Sequence, residues 1–158
     1  MKTIIVYYSV SGQTEFVAKQ IAKRLGCDLL KIETETKIEP DIISRYIHGT
    51  KSMLTKEPPK LKTYQFNKDD YDNIILGFPN WASNCPPAMK VFIAENKFDE
   101  KNIYLLTTYV ARGGAKCLEN VAKKFDLSDV KAVAKFSLPM NKKEKEIDTL
   151  ITKFCDIK

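Results

Sequence analysis

Histidine is almost missing from this 158-residue chain. His48 is the only one, and the four cysteines, Cys27, Cys85, Cys117 and Cys155, are scattered with no CxxC pair among them. Zinc and iron–sulfur centres need imidazoles or thiolates at close spacing, so the sequence disfavours a metal-based function. In a reducing compartment the cysteines are expected as free thiols, packed like small hydrophobes. Cys85 falls in a loop of interest, but no histidine or adjacent basic residue activates it, and a packing role is expected there too. No apolar run is long enough to span a bilayer. The start, MKTIIVYYS, is too short an apolar stretch for a secretory signal and no small-residue cleavage pattern follows it. The expectation is a cytoplasmic protein without a membrane partner. An acidic excess is lacking as well: 26 Lys and Arg against 20 Asp and Glu leave a net charge of +6. The lysines are dispersed and no nucleic-acid module accompanies them, so the charge points to acidic protein partners or anionic cofactors rather than nucleic acid.

What is present is a strong apolar rhythm. Hydrophobic residues make up 44% of the chain, enough for one domain, 1–158, with a full core. Five β-rich runs stand out: Thr3–Tyr8, Cys27–Ile32, Asn73–Phe78, Asn102–Thr108 and Val130–Phe136. The first, third and fourth are nearly continuous hydrophobics, as strands buried on both faces are. Helical periodicity lies between them, over Thr14–Leu25, Ala88–Ala94, Ala115–Phe125 and the tail at Ile147, Leu150, Ile151 and Phe154. Strand and helix alternate, which predicts βαβ units and a doubly wound parallel sheet with helices on both faces. Between residues 33 and 72, DIISRYIHGTKSML is expected to supply the second helix and KEPPKLKTYQFNKDDYD an ordered but irregular connection.

In doubly wound sheets, ligands sit beyond the carboxyl ends of the strands, where the strand order reverses. The turn after the first strand reads Ser9-Val10-Ser11-Gly12-Gln13-Thr14. Unpaired backbone N–H groups at a helix start, three hydroxyls and a permissive glycine suit a phosphate. The same residues would also make a plain capped turn. Neither GxxxxGK[ST] nor a GxGxxG after a strand is present, so a triphosphatase and a dinucleotide fingerprint are both disfavoured. A cradle without charge instead fits the terminal phosphate of a mononucleotide.

The stretch Ser9–Thr14 resembles the phosphate-binding loop of the flavodoxin family, a S/T-x-S/T-G-x-T pattern, and the five strands resemble that family over essentially the whole chain. Flavodoxins are themselves a standard example of strand order 2-1-3-4-5 with FMN at the switch point. The resemblance therefore implies a short-chain member with that order, and FMN as cofactor. Gly77-Phe78-Pro79-Asn80-Trp81-Ala82-Ser83-Asn84, followed by Cys85-Pro86-Pro87, is similar to the family's second flavin loop. Trp81, the only tryptophan, could stack on the isoalloxazine while Pro79, Asn80, Ala82, Ser83 and Asn84 meet its polar edge; the alternative is that Trp81 folds inward as core. The third loop runs Thr107-Thr108-Tyr109-Val110-Ala111-Arg112-Gly113-Gly114. By resemblance, Thr108, Tyr109, Arg112, Gly113 and Gly114 hold the pyrimidine edge.

The family's members are strongly acidic single-electron shuttles. This chain departs from them in its net +6, in having no Asp or Glu in Asn80–Asn84 or Tyr109–Gly114, and in Arg112. The implied function is an FMN-binding electron carrier that docks redox partner proteins, acidic ones in keeping with the charge. The alternative is an FMN-dependent reductase passing hydride from a reduced nicotinamide to a quinone-type acceptor. A phospho-acceptor receiver module would need carboxylates after the first strand, where the chain has Tyr7-Tyr8-Ser9. An interaction domain that has lost its ligand remains a further alternative.

Overall fold

The computed structural model describes residues 1–39, 41, 57–127 and 129–156. The helix expected over DIISRYIHGTKSML, Asp41 apart, lies outside the described residues, as does His48.

Strand β1, Thr3–Tyr7, is buried along its whole length. Successive side chains point to opposite faces, so a strand covered on both faces must be apolar throughout. Ile4 and Val6 face one layer and Ile5 and Tyr7 the other. The elements that follow are α1 (Gln13–Leu25), β2 (Asp28–Lys31), β3 (Asn73–Pro79), α2 (Pro87–Glu95), β4 (Asn102–Tyr109), α3 (Gly114–Lys124), β5 (Val130–Ser137) and α4 (Glu144–Cys155). All strand pairs are parallel and the order is β2-β1-β3-β4-β5, so the chain reverses direction across the sheet at β1/β3.

Helices α1 and α4 cover one face, placing Val17, Ala18, Ile21, Ile147, Ile151 and Phe154 against Ile5, Ile75, Leu106 and Phe136. Helices α2 and α3 cover the other, through Met89, Phe92, Cys117 and Val121 against Ile74, Leu76 and Leu105. Pro87 sits in the first turn of α2, where a missing N–H costs nothing. The described part of the irregular connection carries a bridge from Thr34 to Leu61 and a 3₁₀ turn at Lys68–Asp70. Its Tyr64 and Phe66 pack on Phe92, with ring centroids 5.4 and 5.3 Å apart. The edge strand β5 alternates half-buried and exposed residues instead of running fully buried, because its face at Lys131, Val133 and Lys135 is open to solvent.

Register fixes where ligand loops can lie. Tyr7 is opposite Gly77, Pro79 opposite Thr108, and Tyr109 opposite Ser137. The carboxyl ends of β1, β3, β4 and β5 therefore form one ledge, and four loops leave it side by side.

Candidate functional site

At the first of these loops Gly12 takes φ +90° and caps α1 without a side-chain bond. Ser9 Oγ accepts the Glu15 N–H at 3.2 Å, and the Gly12 carbonyl accepts that of Phe16 at 2.9 Å. The amides of Ser11 through Thr14 have no partner among the described residues, so they remain the open donors of this helix start. Glu15 is the one acid in the first turn, and Lys19 and Lys31 hold its carboxylate at 2.6 and 3.0 Å. These hydrogen bonds keep its acid form below the usual carboxylate range and offset its charge beside the open amides.

The second loop is held from both sides. The Asn80 N–H donates to the Thr108 carbonyl at 2.7 Å, and its Nδ2 donates to the Arg112 carbonyl at 3.2 Å. Its Oδ1 is buried with no hydrogen-bond partner. Trp81 and Asn84 exchange both backbone bonds, at 2.9 and 3.0 Å, around Ala82 and Ser83 with φ of 51° and 60°. This is a tight turn whose two central residues both lie in the left-handed region, the geometry that favours glycine or asparagine. Asn120 Nδ2 anchors it from α3 by donating to the Ser83 carbonyl at 2.8 Å.

In the third loop Gly113 (φ +91°) caps α3, and a Cβ there would come within 2.9 Å of Asn80 Nδ2. A Cβ on Gly114 would meet the Tyr109 ring at 2.8 Å. The two glycines thus let loops two and three close on one another and let the Tyr109 ring lie on the backbone.

Val10, Ser11, Gln13, Pro79, Asn80, Trp81, Thr108 and Tyr109 line one cleft of about 190 Å³, joined by Val110 and Leu138. The other residues expected at the site stand behind it. Ser9 caps α1, Gly12 turns the chain, and the Asn84 Oδ1 accepts its neighbour's Cys85 N–H at 3.0 Å. Arg112 is exposed, with its carbonyl tied to Asn80.

Two of the expected contact residues turn inward in the structure. Trp81 is 2% exposed and stands edge-on to Tyr8, centroids 6.0 Å apart at 82°. The indole is largely buried in the core and meets the cleft only as part of its wall. Thr14 is 1% exposed, and its Oγ1 lies 2.8 Å from Thr108 Oγ1, so its hydroxyl ties loop one to loop three instead of opening to a phosphate. Cys85 is buried as expected, and burial pushes its thiol up to about 12, which keeps it protonated and unreactive.

Leu138 was not expected. It follows β5, and the parallel order is the signal that could have found it, since the loop after β5 must leave the same ledge. A larger hollow of about 470 Å³ lies among Phe98, Phe125, Asp99, Glu100, Asp126 and Asp129, away from these loops. Its four carboxylates outnumber Lys97 and Lys101 in the same lining, so it is a poor place for a phosphate.

The family model described as Flavodoxin matches residues 2–150. The chain belongs to the flavodoxin family. No curated protein matches it significantly. Among solved structures, a Lactobacillus acidophilus flavoprotein crystallised in complex with FMN is similar at 22% identity and TM-score 0.71, covering 94% of this chain and 97% of its own. Flavodoxin 2 of Bacillus cereus is similar at 17% identity and TM-score 0.63, covering 99% and 97%. A WrbA-like flavodoxin from Agrobacterium tumefaciens is similar at 16% identity and TM-score 0.62, covering 99% and 94%. These likenesses show the flavodoxin fold, and the order 2-1-3-4-5 expected from the resemblance is the order observed. Among the described residues, no helix of this flavodoxin is long and apolar enough to cross a membrane.

Proposed function

We propose that the cleft holds FMN and that the protein is a cytoplasmic electron carrier serving redox partner proteins, acidic ones in keeping with its charge. One observation carries this reading: open amides at a helix start and an apolar-walled cleft meet at the sheet's switch point. The residues fit the cofactor. The amides of Ser11 through Thr14 and the Ser11 hydroxyl suit a terminal phosphate, and the positive end of α1 favours its charge. Val10, Pro79, Tyr109, Val110 and Leu138 supply apolar wall. The orphaned Asn80 Oδ1 is a buried acceptor beside it, and a buried acceptor without a partner is costly unless a donor reaches it. Val10 and Val110 in its wall are exposed, so the cleft opens to solvent, as electron exchange with another protein requires. Bound FMN supplies reversible one- and two-electron transfer. Family membership and the FMN complex of the Lactobacillus acidophilus relative support the reading.

Protein purified without added cofactor is expected to be yellow, or to quench FMN fluorescence on titration. Colourless protein that leaves FMN fluorescence unchanged would overturn the proposal. The loaded protein mixed anaerobically with a reduced nicotinamide is expected to bleach slowly. Rapid bleaching would replace the carrier by a nicotinamide-dependent reductase.

A further inference from the structure

The phosphate loop is fastened to a segment far from it in sequence. Gln13 Oε1 accepts the Met140 N–H at 2.9 Å, and Gln13 Nε2 reaches Asn141 Oδ1 at 3.5 Å. Met140 and Asn141 belong to the 3₁₀ turn Pro139–Asn141 that links β5 to α4. That turn is itself well held. The Leu138 N–H donates to the Tyr109 carbonyl and the Asn141 N–H to the Leu138 carbonyl, at 3.0 and 2.9 Å. Ser137 Oγ donates to the Val110 carbonyl at 3.0 Å, and Pro139 is buried. Met140 Sδ lies 3.7 Å from the position a Cβ on Gly12 would occupy, so the turn overhangs the loop's glycine.

We infer that Gln13 is a positioning residue: its carboxamide clasps the phosphate loop to the β5–α4 turn and so sets the loop's amides for the phosphate. Three observations meet here. The loop turns at a glycine with φ +90°, Ser9 Oγ and the Thr14–Thr108 contact hold its two ends, and the Gln13 carboxamide adds a tie beside the glycine. The turn supplies the rigidity, through bonds to the carbonyls of Tyr109 and Val110 in the third loop. The same turn carries Leu138, a wall of the cleft, so one carboxamide links phosphate end and ring end. A loop that binds by backbone amides gains affinity when its bound shape is already fixed, because less order must be imposed on binding. This inference rests on the FMN reading for the ligand and on geometry alone for the clasp.

The test compares wild type with Gln13→Ala and Gln13→Glu by three readouts. The first is hydrogen exchange at the Met140 amide in the cofactor-free protein, followed by NMR. The second and third are the affinities for FMN and for riboflavin, which lacks the phosphate. One neutral hydrogen bond corresponds to a change of roughly three- to tenfold. Gln13→Ala is expected to speed Met140 exchange and weaken FMN by about that factor, with riboflavin nearly unchanged. Gln13→Glu keeps an acceptor for the Met140 N–H and adds a charge, so Met140 stays protected. Its FMN deficit relative to wild type should then close as NaCl rises to 1 M, where screening acts within about 3 Å. Unchanged Met140 exchange in Gln13→Ala would overturn the clasp. Parallel loss of FMN and riboflavin would reduce Gln13 to a merely structural residue. A Glu deficit that persists at 1 M NaCl would mean that Gln13 touches the phosphate directly. Wild-type protein that fails to quench FMN would remove the phosphate role, with the clasp still decided by Met140.

Discussion

Thr14 and Thr108 show what a single hydroxyl does in this site. Their Oγ1 atoms, 2.8 Å apart, are buried between α1 and β4, where water cannot replace either partner. Thr14→Val keeps the shape and removes one partner, so the Thr108 hydroxyl is left unsatisfied in a dry place. The expected cost is about 1–3 kcal/mol, read as a shift in the urea midpoint of the cofactor-free protein. Thr14→Val with Thr108→Val should cost less than the two single changes summed, because the second substitution removes the stranded group. Strict additivity would show that the two hydroxyls are not coupled. The pairing was not legible in the sequence. Thr14 stands in a phosphate-loop pattern that suggests an outward hydroxyl, and its partner lies 94 residues away. For Trp81 the sequence left two orientations open, stacked on a ligand or folded inward; the inward one rests on Tyr8, a contact that the loop's own residues do not reveal.

At the scale of elements, the turn Trp81–Asn84 carries the local strain. Ala82 and Ser83 both have positive φ, and two non-glycine residues in that region cost of order 1–3 kcal/mol each. Ser83→Gly removes one of these penalties and leaves the Ser83 carbonyl, which Asn120 holds, in place. Stability is expected to rise by about 1 kcal/mol, or roughly 2–4 °C in Tm for a chain of this size. A fall in Tm would mean that the Ser83 side chain contributes more than its backbone costs. The elements themselves were readable: apolar runs gave the strands to within a residue or two, and the alternation gave the parallel doubly wound sheet. The fourth loop was missed because nothing in Ser137-Leu138-Pro139 marks a ligand contact. Its place arises from the register, which sets Tyr109 beside Ser137 and brings Leu138 to the cleft.

Charge and burial act over the whole molecule. A net +6 with Arg112 exposed in the third loop favours an anionic reduced flavin by Coulomb attraction. Arg112→Ala is therefore expected to make the potential of the fully reduced couple more negative, and a redox titration without a shift would remove Arg112 from that role. Burial has its own consequence for alkaline stability, independent of any cofactor. Cys85 and Cys117 are 1% and 0% exposed, and burial pushes both thiols from 9.0 up to about 12. Tyr7 and Tyr8, at 3% and 5%, are pushed from 10.0 to about 12, again chiefly by burial. In each case the folded value lies above the unfolded one, so the unfolded chain loses its proton first. The stability these groups contribute is fully present below pH 9 and is lost as pH rises towards 12. Each group that has ionised only in the unfolded chain removes about 1.4 kcal/mol per pH unit. The two cysteines alone then remove about 2 kcal/mol between pH 9 and 10, where they pass from half to nearly full ionisation in the unfolded chain, and the tyrosines steepen the fall above pH 10. Urea midpoints of the cofactor-free protein at neutral pH and at pH 9 to 11 measure this directly. Cys85→Ala with Cys117→Ala is less stable at neutral pH, because each change leaves a small void. Its stability should nevertheless stay nearly level from pH 9 to 10, where the wild type declines. A double variant that declines as steeply as the wild type over that unit would show that the alkaline loss comes from groups other than the buried thiols.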